Sequence, residues 1–159
     1  MAAAGCRAAR QSPGFRVSPV PAGGGPGGAA LRDRIEAIEA AYEFTLGYAA
    51  QGLSGAGAGG PGSEIRERLA RASRALDGLA AALEAEVRSR NLEPVSDYGA
   101  FIAVLGEDAA RSNAALRLLL GLPAITSQAI DNLNALIHLR ALLTDLFFVD
   151  EILKGSAPP

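Results

Sequence analysis

Residues 126–153, TSQAIDNLNALIHLRALLTDLFFVDEIL, decide the fold. They hold the single histidine, two of the five phenylalanines and the densest apolar sequence in the chain. Thr126 or Ser127 can cap a helix start here, because a hydroxyl at that place accepts a hydrogen bond from a free backbone N–H one turn in. Lys154 and Gly155 follow where a cation and a flexible residue suit a helix end. Plotted at about 100° per residue, the run is apolar nearly all round. Only a narrow polar strip interrupts it: Asp131, Asn134, His138 and Asp145. A helix of this kind must be covered on most of its circumference, by the rest of the chain or by a partner.

Upstream, Tyr98, Phe101, Ile102 and Leu105, then Ala109, Leu116, Leu119 and Leu120, predict a helix that begins near Ser96 or Asp97 and ends before Gly121-Leu122-Pro123. Gly106 lies inside it at a cost of about 1 kcal/mol relative to alanine, so it marks either a kink or a close helix crossing. Before that, Ile65, Leu69, Ala72, Leu76, Leu79, Leu83 and Val87 recur at steps of three and four and predict one helix from about Ser63 to Arg90, closed by Asn91 and Pro94. Its Glu64–Arg68, Glu67–Arg71, Glu84–Arg88 and Glu86–Arg90 spacings read as ion pairs on an outer face.

A first helix is expected over about Leu31 to Gln51, with Leu31, Ile35, Ile38, Tyr42 and Leu46 on one face and Glu36, Glu39 and Glu43 on another. The glutamates read as a solvated stripe. A carboxylate-bridged metal centre in a bundle wants Glu-x-x-His on two helices, and this chain has one histidine. The run LRDRIEAIEAA (31–41) resembles the opening of the small all-helical chorismate mutases, whose first helix often reads Leu-Arg…Ile-Asp…Ile-Asp. That resemblance implies a substrate-binding lysine on the same helix, yet the sole lysine here is Lys154. Between the first two helices, SGAGAGGPG (54–62) is a connector; no Gly-Lys-Ser/Thr follows it to make a phosphate loop.

Residues 1–29 are rich in Ala, Gly and Pro, carry Arg7, Arg10 and Arg16, and contain no acid. With few large apolar groups to offset ordering entropy, they read as a disordered arm, alternatively as an organelle transit peptide. Residues 30–155 form the helical domain. The expected class is all-α: four long antiparallel helices behind that arm.

Charge and composition exclude more than they assign. The formal net charge of −2 gives no general attraction to nucleic acid. Cys6 alone excludes an intrachain disulfide or a cysteine-rich metal site. No apolar run reaches the roughly 18–20 uncharged residues of a membrane span. No cofactor or catalytic motif is implied, and a cytoplasmic location is expected, with an organelle as the alternative. The polar strip with His138 is a groove, the one wet face of a buried helix, or a satisfied polar contact between helices. The leading expectation is a non-enzymatic interaction protein, a homo-oligomer or the partner of another helical protein, contacted through Leu139, Leu142, Leu143, Leu146 and Phe147. The alternative is a small helical enzyme or a bundle that binds an anionic ligand in an arginine-lined pocket.

Overall fold

A computed structural model describes residues 26–53 and 60–156. The expected arm, but for the first residues of the first helix, lies outside them, as does most of the glycine-rich connector. Among the described residues all regular structure is helical: α1 (Pro26–Ala50), α2 (Pro61–Leu76), α3 (Leu79–Ser89), α4 (Val95–Leu120), α5 (Ser127–Asn134) and α6 (Ile137–Gly155).

Two of the four expected helices are therefore broken. The second is interrupted at Asp77–Gly78. Gly78 has φ of 75°, a left-handed conformation that glycine adopts without penalty. The Arg34 guanidinium of α1 donates to the carbonyls of Arg74, Ala75 and Asp77 at 3.2, 2.9 and 2.5 Å, and so satisfies the free end of α2. Asp77 in turn accepts from Asn113 (3.2 Å) and Arg117 (2.9 Å) of α4, and the buried Ser73 hydroxyl donates to Asn113 at 2.6 Å.

The fourth expected helix is interrupted at Ala135–Leu136, where neither glycine nor proline stands. Here the partners decide. α5, with Ile130 and Leu133 buried, packs chiefly on α1, while α6, with Leu139, Leu142 and Leu146 buried, packs chiefly on α4. Thr126 caps α5 as expected, accepting from the Ala129 N–H at 3.1 Å. Ser127 fastens α5 to the end of α1: its hydroxyl donates to the Tyr48 carbonyl (2.7 Å) and accepts from the Leu53 N–H (2.8 Å). The buried Tyr48 donates to the Ile125 carbonyl at 2.7 Å.

All six helices contribute to the core, α3 through Leu79, Leu83 and Val87. Ile38, Ala41, Leu69, Leu116, Leu133 and Leu139 border one small cleft of about 20 Å³. α4 runs unbroken through Gly106, which marks a crossing and not a kink: a Cβ there would lie 3.2 Å from the Ala80 Cβ of α3. Asn91, with φ of 53°, ends α3 as its sequence predicts, and the Leu92 N–H reaches back to the Val87 carbonyl at 3.1 Å. The Glu86–Arg90 pair (2.6 Å) is not on an outer face. Glu86 is buried, and Arg90 reaches on to the Leu153 carbonyl of α6 at 2.7 Å.

Candidate functional site

The break at Ala135–Leu136 divides the expected polar strip. Asn134 turns inward, where its side-chain oxygen accepts from the buried Thr45 hydroxyl of α1 at 2.7 Å. Asp131 lies exposed beside an open depression bordered by Leu46, Ala49, Thr126 and Gln128. His138 and Asp145 belong instead to the contact with α4. The His138 Nδ1 is 2.8 Å from Asp108 Oδ1, so this nitrogen carries the proton and donates to the carboxylate. Arg111 meets the same oxygen at 3.3 Å. Burial, and then the charge of Asp108, hold the Asp145 carboxyl above the usual range. Ser112, one turn along α4 from Asp108, has a buried hydroxyl without a hydrogen-bond partner. The four residues of the strip thus do not meet in one groove, and His138 serves as a tie between α4 and α6.

The predicted apolar contact face is divided as well. Leu139, Leu142, Leu143 and Leu146 are buried within the chain's own fold. Phe147 alone of that set faces water, with 60% of its surface exposed, and its neighbour Phe148 is 55% exposed. Periodicity located the apolar circumference of the helix correctly but gave no sign of which side the chain itself would cover.

What remains outside on α6 is a continuous stripe. Ile137, Arg140, Thr144, Phe147, Glu151 and Lys154 are all exposed and follow one another at alternating steps of three and four residues. Phe148 flanks it. On the α1 side a groove of about 410 Å³ runs beneath the stripe, with Tyr42, Leu46, Leu143 and Phe147 as apolar walls and Glu39, Glu43 and Arg140 as charges. Burial raises the Glu39 carboxyl above its ordinary value. Asp150 and Glu43 add to the rise, and Lys154 opposes it. On the α4 side a second groove of about 280 Å³ is lined by Pro94, Tyr98, Phe101, Phe148, Val149 and Ile152, with Glu93 and Asp97 at its edge. Phe101 and Phe148 meet edge to face with ring centres 5.5 Å apart.

α6 is thus a ridge between two depressions, with an aromatic pair at its crest. Among the described residues no group of acidic, histidine or cysteine side chains is placed to hold a metal ion, and no helix is long and apolar enough to cross a membrane. No protein-family model, no curated protein and no solved structure matches the chain.

Proposed function

We propose that this chain is a helical interaction protein, without catalytic activity of its own, that engages another protein through the outer face of α6. One observation carries the reading: Phe147 and Phe148 are adjacent, more than half exposed, and mounted on a helix whose other side is fixed in the core. Exposed aromatics on a rigid support are what buried interface centres are made of, because each brings a large apolar area at little cost in side-chain freedom. In this reading the body of the chain is an antiparallel bundle of four rods, two of them bent, that presents α6.

The alternative, a pocket for an anionic ligand, would fall on the groove beside α1. There Arg140 stands with Glu39 and Glu43, so the local charge favours a cation over an anion.

Pull-downs with the wild-type chain and a Phe147→Glu/Phe148→Glu variant test the proposal. The variant should keep its helical content and melting temperature and lose proteins, an untagged copy of this chain counted among them, that the wild type holds. Leu118→Glu serves as the control, since Leu118 is 75% exposed on α4, and it should lose none of them. Identical captured sets for wild type and double variant would sink the reading.

A further inference from the structure

Resting on that reading, we infer that the occupant of the α6 face is a second copy of this chain, its α6 lying antiparallel across the first about a twofold axis. The stripe carries the register in its own spacing. Its steps are three, four, three, four and three, a pattern that reads the same from either end. The pairs Ile137 with Lys154, Arg140 with Glu151, and Thr144 with Phe147 share one midpoint, between Asp145 and Leu146. An antiparallel pair of helices centred there opposes each member to its mate, twice over, in the geometry of a short two-stranded coiled coil.

The chemistry of the opposed groups agrees with the register. Arg140 meets the partner's Glu151, and Glu151 meets the partner's Arg140. Phe147 lies over the partner's Thr144, whose small side chain leaves room for a ring. The Lys154 stem packs on the partner's Ile137 while its ammonium stays in water beside Asp150, to which it is bonded at 2.5 Å. The arriving end of the partner's α6 carries the partner's Arg140, and it comes alongside the groove edged by Glu93 and Asp97. A parallel pairing does the reverse: it sets arginine against arginine, glutamate against glutamate and lysine against lysine. The same residues that favour the antiparallel dimer therefore exclude the parallel one.

The solution mass of the full chain, measured by sedimentation across a concentration series, should show a monomer–dimer equilibrium. Arg140→Glu alone and Glu151→Arg alone should each weaken the dimer at least about tenfold, since like charges then face each other at two places. Combining the two should restore the affinity to near the wild-type value. A monomer at all concentrations, or a dimer indifferent to these charges, overturns the inference. Photo-reactive benzoylphenylalanine at position 147 of the full chain, expressed in cells, separates its failure from that of the broader reading. A cross-link at twice the chain's mass supports self-pairing. Cross-links to other proteins alone overturn it and leave the α6 interaction face standing, and no cross-link at all overturns both.

Discussion

At Asp77–Gly78 the chain leaves α2 through a left-handed glycine, and three carbonyls at that helix end are taken up by Arg34. At Ala135–Leu136 it leaves α5 through two residues with ordinary helix-compatible side chains and no such cap. The first bend is written in local backbone preference and then tied down. The second is imposed from outside, because the apolar residues on its two sides belong to different neighbours, α1 and α4. A helix break thus needs no breaker residue when two partners compete for its two halves. The exposed surface differs too. α3 is packed on α1 and α4, whereas α6 is held by α4 and stands off from α1, which leaves a groove and an exposed crest.

If packing alone holds the second bend, removing packing should do the most damage there. Leu142→Ala, at a fully buried position of α6, should cost about 2–5 kcal/mol in denaturant unfolding, because the cavity it leaves is not refilled. A loss below about 1 kcal/mol would break the account of α6. At the first bend, Gly78→Val should cost about 1–3 kcal/mol, since a branched side chain is strained at that φ. Ala135→Gly at the second should cost no more than about 1 kcal/mol, the ordinary propensity difference. Equal losses at the two bends would erase the distinction.

Ser127→Ala acts on the α5 side of the second bend. It strips both bonds of the Ser127 hydroxyl and leaves the Leu53 N–H without a partner, while the Tyr48 carbonyl keeps the Gln51 N–H (3.2 Å) and the Ser127 N–H keeps the Leu53 carbonyl (2.9 Å), for a loss of about 1–2 kcal/mol. Chemical denaturation of the pair Ser127→Ala and Leu142→Ala, separately and together, reads whether the two sides of the bend are coupled.

The smallest effect concerns the groove that the second bend leaves open. Burial keeps Glu39 protonated beyond the ordinary glutamate range, so in that window the folded chain binds a proton that the unfolded chain has lost. Stability from this residue is therefore full in acid, falls as pH rises through the window, and stays reduced at neutral pH. Glu39→Gln should raise the melting temperature at neutral pH and leave it unchanged in acid. Solvent screening at this half-exposed site keeps the gain below about 1 kcal/mol. An equal gain at both pH values would assign it to something other than the charge.

Much of this was legible in the sequence, for physical reasons that also mark where legibility stopped. The three-and-four spacing of Leu31, Ile35, Ile38 and of Ile102, Leu105, Ala109 found α1 and α4, because each lies along one continuous core. Leu76 and Leu79 are also three apart and both buried, so the apolar pattern runs straight across Asp77-Gly78 and conceals a break that the glycine itself announces. Nothing near Ala135 announces the other one. For the candidate face, Phe147 is apolar in the sequence and exposed in the fold. The four leucines named with it have the same chemistry but point into the chain's own core. Which side of an apolar helix stays open is a property of the assembled neighbours, and no single stretch encodes it.

Arg34, Arg66 and Arg90 each reach from one helix to the terminal carbonyls of another. Arg34 serves α2, Arg66 serves α4 through Leu120 (2.9 Å) and Leu122, and Arg90 serves α6 through Leu153 (2.7 Å). Each joins positions between 40 and 63 residues apart in the sequence. The planar fork is used differently each time: Arg66 spans two carbonyls with its two terminal nitrogens, Arg90 divides its nitrogens between the Leu153 carbonyl and Glu86, and Arg34 gathers three carbonyls at one nitrogen. Helix ends ordinarily fray one at a time. Here the last turn of α2, of α4 and of α6 can open only by releasing a distant helix, so their amide hydrogens should exchange with solvent in step with global unfolding.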